Sequence, residues 1–385
     1  MSLQTDALRV PITKPFLDDR EERAIVEVLR SGWVAQGPKV AEFERLVAHY
    51  VGARHAVATS NCTTALHLAL TLAGVAPGDE VIVPSFSFIA TANAVRYTGA
   101  TPVFVDIDPR TYNMDPACVE GAITPRTKAV MPVHQLGLAA DMDRVNAIAR
   151  AHGLAVVEDA APAIGATYKG QHVGALGNIT CFSFHPRKAI TTGEGGMIVT
   201  DAAAAAERAR VLRSHGMSVS DLARHQARRV IIEEYLELGY NYRLSDLHAA
   251  VGIEQLAKLD VVLARRRRLA ERYHAALARL GCVQLPFSSS ETPHTYQSYM
   301  IALRPGAPKS REQVMEELLA AGVATRRGVM AIHLEPCYAR GDGGPTRLPV
   351  TEAAARDTLL LPIYPGMEDD EQEYVIEHLA RVLGA

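Results

Sequence analysis

The sequence has a single tryptophan, 6% aromatic residues and five cysteines, at 62, 118, 181, 282 and 337, with no Cys-x-x-Cys pair. An odd number of scattered cysteines does not make a disulfide framework. It fits a reducing compartment in which cysteine serves as a small apolar residue. No apolar run is long enough to cross a membrane. The opening MSLQTDALRVPITKPF lacks both a continuous apolar core and a cleavage-like site, so a cytoplasmic protein is expected. Lys and Arg number 40 against 43 Asp and Glu, a net charge of −3, which gives nucleic acid no concentrated basic face. The one basic block, Arg265-Arg266-Arg267-Arg268, lies in a helical pattern and reads as a solvated helix face. There is no Walker motif and no HExxH. GEGG is not a dinucleotide fingerprint, because Ile198 stands where the last glycine belongs. The fourteen histidines show no metal spacing, and HLEPC at His333–Cys337 lacks the second half of a zinc deaminase signature.

What is present is a large apolar fraction, 48% of 385 residues, enough for more than one core. Over the first two-thirds, short apolar strands (HAVATS, EVIVP, TPVFVDI, KAVMPVH, LAVVED, ITCFSF, GMIVT) alternate with amphipathic helical stretches. That pattern predicts an α/β fold with a mostly parallel sheet sandwiched by helices. From Ser245 to Leu280 the pattern becomes one or two long helices. QSYMIAL, SREQVMEELLAAG and a last helix over Asp369–Leu383 then predict a smaller α+β domain. The expected division is 1–255 and 256–385.

In open α/β sheets, ligands bind beyond the carboxyl ends of the strands. Three groups stand there. After HAVAT, the stretch Ser60-Asn61-Cys62-Thr63-Thr64 opens a helix, whose free amides suit an anion; the plainer reading is capping by Ser60 or Thr63. After LAVVE comes Asp159, followed by the small Ala160-Ala161. After CFSF comes HPRK, which places Lys188 between a strand and the turn-forming TTGEGG, with Ser183 five residues earlier. One ligand accounts for all three: pyridoxal 5′-phosphate. Its phosphate calls for the helix N-terminus and hydroxyls. Its aldehyde calls for a lysine, and its pyridine nitrogen for a buried aspartate. Phe88, ending VIVPSFSF, suits one ring face and Ala161 the other. His134 and His185 also stand near strand ends, as lining or as structural histidines.

The blocks SGWVAQGPKVAEFE, SNCTTALHLAL, GDEVIVPSFSFIATANAV, ATPVFVDIDP, VVEDAAPAIGA, FSFHPRKAITTGEGG and GYNYRLSDLHAAVG occur in an order that resembles the DegT/StrS family of nucleotide-sugar aminotransferases, fold-type I pyridoxal-phosphate enzymes. The resemblance implies that Lys188 holds the cofactor as a Schiff base and then shuttles a proton. It implies that Asp159 binds the pyridinium, that Thr63, Thr64 and Ser183 hold the phosphate, and that Phe88 stacks on the ring. It further implies that Asn241 reaches the phosphate of a neighbouring subunit, so that the active unit is a homodimer. L-glutamate is the implied amino donor and a nucleotide-linked keto-deoxysugar the acceptor. The segment MSVSDLARHQARRVIIEEYLE is expected to be a mobile loop over the partner's site. Two positions depart from the family pattern: Pro162, where Gln, His or Glu is usual, and Leu136, where tyrosine is common. The same fold also hosts two other activities. A sugar dehydratase of the same fold would carry histidine in place of Lys188, and a regulator that binds the cofactor without turnover would not need the full set Lys188, Asp159 and Ser183.

Overall fold

A computed structural model describes residues 9–220, 224–225, 227–339 and 347–384. The predicted strands assemble into a seven-stranded sheet. In chain order these are β1 (His55–Thr59), β2 (Glu80–Pro84), β3 (Thr101–Val105), β4 (Thr127–Val130) and β5 (Ala155–Asp159); after a short hairpin, β6 (Thr167–Tyr168) and β7 (Gln171–His172), come β8 (Ile179–Ser183) and β9 (Gly196–Thr200). Their spatial order is β1-β9-β8-β5-β4-β2-β3. Every pairing is parallel except those of β9, which runs antiparallel to both its neighbours. The mostly parallel α/β sandwich expected from the sequence is therefore present.

Helices cover both faces: α1 (Asp19–Ser31), α2 (Pro38–Val51), α3 (Cys62–Leu72), α4 (Ala90–Tyr97), α5 (Met142–His152), α6 (Ala203–Leu212), α7 (Asp246–Ala257) and α8 (Leu259–Leu277). Alternation along each strand divides the core. Ala56, Ala58, Ile82 and Val130 pack with α2, α5, α7 and the start of α8. Val57, Val81, Val83, Val157 and Ile198 pack with α3, α4 and α6 on the other face. The reading of one or two helices over Ser245–Leu280 resolves into two, α7 and α8.

The last third forms a four-stranded antiparallel sheet of β10 (Val283–Gln284), β11 (Tyr299–Leu303), β12 (Arg326–Arg327) and β13 (Thr358–Leu361), ordered β10-β11-β13-β12, with α9 (Arg311–Ala320), α10 (Pro349–Asp357) and α11 (Asp369–Val382). Helix α8 serves both cores: Leu259, Val262 and Leu263 join the first, and Leu269, Tyr273 and Leu277 join the second.

The basic block corrects one expectation. Four consecutive residues sweep about 300° around a helix at 3.6 residues per turn, so they do not all face water. Arg265, Arg267 and Arg268 are exposed, but Arg266 is buried. Its Nη1 donates to the carbonyls of Tyr296 (3.1 Å), Gln297 (3.1 Å) and Ile363 (3.2 Å). With no carboxylate beside it, burial lowers its pKa to about 10.

Candidate active site

Strands β1, β5 and β8 run parallel, so their carboxyl ends share one edge of the sheet. Asp159 ends β5 and is buried. Its Oδ2 accepts the Thr91 hydroxyl at 2.7 Å, and its Oδ1 accepts the Ala161 amide at 3.1 Å. Burial pushes the Asp159 pKa up; the two hydrogen bonds and the nearby Lys188 oppose that rise without cancelling it. A buried acid with no cation bonded to it is poised to receive one. Thr91, on α4, is a site residue that no motif in the sequence marks. The signal is weak, one hydroxyl three residues after Phe88 on a helix that also carries Asn93 and Arg96.

Lys188 follows β8 in a tight turn, its amide donating to the His185 carbonyl at 2.8 Å. Its amine is desolvated, which lowers its pKa. Cys62 and Asp159 oppose that fall, and Arg187 adds to it. The amine is therefore closer to its neutral, nucleophilic form than a surface lysine. These mutual influences put Lys188, Asp159 and Cys62 in one neighbourhood, as the sequence placement suggested for the first two.

The cradle at the end of β1 differs in detail from its reading. The cap of α3 is Asn61, not Ser60 or Thr63. Its side chain accepts the Thr64 amide at 3.0 Å, while the Thr64 hydroxyl donates to the Asn61 carbonyl at 2.7 Å. Asparagine wins because its Oδ1 reaches the third helical amide. The amides of Cys62 and Thr63, the first two of the helix, have no intrahelical acceptor by geometry and remain for a ligand. The Ser60 amide is held by the Tyr242 carbonyl at 2.8 Å. Gly196, opposite both Thr59 and Ser183, lies against this helix start: a Cβ there would collide with the Asn61 carbonyl and stand 2.7 Å from the Cys62 nitrogen. The glycine run after Lys188 thus permits the close backbone approach expected of it. Ser183 is buried at the end of β8, and its Oγ accepts the His185 amide at 3.5 Å.

Phe88 is 58% exposed, an apolar ring left uncovered by its own chain, and Ala161 is half-buried. Asn241 is exposed, next to the Tyr242 that holds Ser60. Of the two histidines left open, His134 is structural: it is fully buried, its Nδ1 accepts the Ala140 amide at 3.0 Å, and its Nε2 therefore carries the proton toward Glu158, 2.8 Å away. His185 accepts the Arg187 amide on Nδ1 at 3.2 Å and shapes the lysine turn. Pro162 is buried, and Leu136 takes a left-handed φ of 56°, a conformation that costs a non-glycine residue energy. His333, within HLEPC, is bonded to Ser85 at 2.7 Å. Within the expected loop over a partner's site, residues 221–223 and 226 lie outside the described residues. Nearby Val230, Ile232 and Leu238 are 91%, 85% and 89% exposed.

This geometry fits pyridoxal phosphate: an amine shifted toward its neutral form, a buried acid awaiting a cation, unsatisfied helix amides and an uncovered aromatic ring. Comparison with known proteins points the same way. GDP-perosamine synthase of Caulobacter vibrioides is 43% identical over 381 residues, covering 98% of this chain and 100% of that protein. DesV of S. venezuelae, solved in complex with a ketimine intermediate, superposes with a TM-score of 0.88 at 36% identity, covering 98% and 99% of the two chains. Spr1654 of Streptococcus pneumoniae, solved in its PMP-form, superposes with a TM-score of 0.90 at 30% identity, covering 97% and 99%. The model of the DegT/DnrJ/EryC1/StrS aminotransferase family matches residues 15–380, and the chain belongs to that family.

Proposed function

We propose that this aminotransferase uses pyridoxal 5′-phosphate to move an amino group, from L-glutamate, onto a keto group of a nucleotide-linked deoxysugar. The observation that carries the reading is that Lys188 and the buried Asp159 stand at or just past the carboxyl ends of two adjacent parallel strands, β8 and β5, where burial lowers the pKa of the amine and raises that of the acid. The name of the Caulobacter vibrioides relative supports the nucleotide-sugar class. When bound, the cofactor supplies an electron sink that allows amino transfer in two half-reactions.

The roles of the protein groups follow from their chemistry. Lys188 would hold the cofactor covalently, and its Nζ would take and return a proton at the substrate carbon; a lowered pKa suits it to both tasks. Asp159 keeps the ring nitrogen protonated, and Thr91 holds the carboxylate in place. The amides at the start of α3, with Thr63, Thr64 and Ser183, bind phosphate. Phe88 and Ala161 cover the ring faces and exclude water. With Pro162 after Asp159, no side-chain hydrogen bond comes from that position, since proline has no donor.

The assembly we propose is a homodimer in which Asn241 reaches the partner's phosphate. The exposed apolar residues Val230, Ile232 and Leu238, in the segment that leads to Asn241, support this, because clustered exposed apolar side chains mark interaction surfaces. The division into a cofactor-binding unit, 1–255, and a smaller unit, 256–385, belongs to the same proposal, as does a cytoplasmic location. Among the described residues, no helix is long and apolar enough to cross a membrane.

The test is spectroscopic and chemical. Purified protein carrying the cofactor is expected to absorb near the visible and to lose that band when L-glutamate is added. A panel of nucleotide-linked 3-keto and 4-keto sugars, analysed by mass spectrometry, should contain an aminated product. A band indifferent to every amino donor, with no aminated sugar, would reject the proposal.

A further inference from the structure

The turn that carries Lys188 is held from outside itself. The peptide unit between Arg187 and Lys188 is planar, so its carbonyl and its N–H rotate together. The N–H donates to the His185 carbonyl at 2.8 Å, a bond local to the turn. The carbonyl, on the opposite edge, accepts Nε2 of Gln297 at 2.5 Å, a bond that spans 110 residues of sequence. The plane is thus fastened at both edges and cannot swing without breaking one bond or the other. Three residues after the lysine, the Thr191 amide donates to Oε1 of buried Gln255 on α7 at 3.2 Å, which holds the chain as it leaves the turn.

Gln297 is itself firmly placed. It is buried, two residues ahead of β11. Its amide donates to the Leu136 carbonyl at 3.0 Å, and the Thr295 amide donates to the Gly137 carbonyl at 3.0 Å. The carbonyls of Tyr296 and Gln297 both accept Nη1 of buried Arg266 at 3.1 Å. Each side of this joint carries a non-glycine residue in the left-handed region, Leu136 with a φ of 56° and Tyr296 with a φ of 51°. Such conformations persist only where the surroundings over-determine them, and they gather at functional sites. The Gln297 side chain links this joint to the lysine turn.

We infer that Gln297 is a positioning residue for amino transfer: its side-chain N–H fixes the peptide that precedes Lys188 and thereby aims the Lys188 amine. The long lysine side chain is a lever. A rotation of about 10° at its Cα moves an amine about 6 Å away by about 1 Å. A misplacement of that size costs up to about a hundredfold in rate. The inference rests on the reading of Lys188 as the amine that carries the cofactor and moves the proton. Gln297 touches neither cofactor nor substrate in this account; it acts through the turn.

The test compares wild type with Gln297→Met and Gln297→His. Both replacements are close to glutamine in size, but methionine has no donor and histidine keeps a ring N–H. In the cofactor-free proteins, hydrogen exchange over 184–190 and the rate at which acetic anhydride acetylates Lys188 read the turn without turnover. In the holoenzymes, the readouts are the circular dichroism of the cofactor band, the pH midpoint of its absorbance change, and the rate constant and half-saturation of the half-reaction with L-glutamate. The methionine form is expected to exchange the 184–190 amides faster by about tenfold or more. Its acetylation rate, dichroism and pH midpoint should all depart from wild type. Its rate constant should fall about ten- to a hundredfold while half-saturation changes by less than about threefold. The histidine form should recover part of each loss, an order that a packing role does not give. Should the methionine form not fold, Gln297→Asn, whose amide falls one methylene short, takes its place with the same expectations. Variants that melt at a lower temperature yet match wild type in exchange, spectrum and rate constant would overturn the inference, as would a methionine form indistinguishable from wild type throughout. If the wild-type holoenzyme responds to no amino donor, the parent reading fails instead, and exchange and acetylation in the cofactor-free proteins still decide whether Gln297 aims the lysine.

Discussion

The Thr91 hydroxyl donates to the Asp159 carboxylate at 2.7 Å across 68 residues of sequence, and Ser87 in turn lies 2.6 Å from Thr91. This bond stabilises the charged form of an acid that burial otherwise drives toward neutrality. Thr91→Val keeps the shape and removes the donor, so the Asp159 pKa should rise further and its grip on a cationic ring should weaken. A hydrogen bond to a charged group contributes roughly 1.5–3 kcal/mol, which corresponds to a cofactor dissociation constant increased by about ten- to a hundredfold. Equilibrium dialysis of the cofactor measures it, and wild-type retention would remove Thr91 from this role.

Lys188 makes a pH-dependent prediction. Its folded-state pKa lies below that of an exposed lysine. Below that depressed value the amine is charged in both folded and unfolded chains, and the cofactor-free folded state bears the full desolvation cost. The cost fades as pH rises through the folded pKa and vanishes above the unfolded value of about 10.4. Cofactor-free Lys188→Met should therefore melt at a higher temperature than cofactor-free wild type at pH 7, with the gap closing by about pH 11. An unchanged gap across that range would show that the amine is not desolvated.

Gly196→Ala places a methyl group against the Asn61 carbonyl and the Cys62 nitrogen. These are backbone atoms of a capped helix start and cannot swing aside. Overpacking of this kind costs about 1–3 kcal/mol, and the displaced cradle should also release phosphate more readily. Urea unfolding and inorganic phosphate titration report the two effects separately.

Arg266 satisfies three main-chain carbonyls with one buried nitrogen. Arg266→Met fills much of the volume but orphans those acceptors, at about 1–3 kcal/mol for each buried unsatisfied group. A loss of about 3 kcal/mol or more in urea-derived stability is expected, accompanied by loosening of the 295–297 segment in hydrogen exchange. A variant as stable as wild type would mean that water replaces the guanidinium.

A shared active site can be tested by mixing two defective chains. Lys188→Ala and Asn241→Asp should each be nearly inactive, the second because a carboxylate would face phosphate. If the proposed homodimer is right, refolding them together yields mixed dimers in which one of the two sites has an intact lysine and an intact asparagine. Activity recovered on mixing supports the partner role of Asn241, whereas no recovery places Asn241 at its own chain's site.

Much of the architecture is legible without coordinates, because it rests on short-range rules. Strand alternation, amphipathic helices and glycine stops depend on residues two to four apart, and these place the seven strands of the large sheet, β1 to β5, β8 and β9; the short β6–β7 hairpin, two residues a side, is too brief to show a period. The same rules put Lys188, Asp159 and the Ser60–Thr64 stretch at strand ends, because a parallel sheet presents all its carboxyl ends along one edge. The two cap candidates, Ser60 and Thr63, flank the true cap, Asn61, by one and two residues.

The sequence by itself determined which groups the sheet edge would offer: a lysine, an acid and a helix start. Tertiary structure decided what each of them touches. Asp159 meets Thr91 over 68 residues, the lysine turn meets Gln297 over 110, and one arginine of four turns inward to gather three carbonyls. No periodicity or propensity encodes such pairings. They arise when desolvation leaves a buried polar group with no water to bond, and the group that satisfies it is whichever one the packed chain brings within reach.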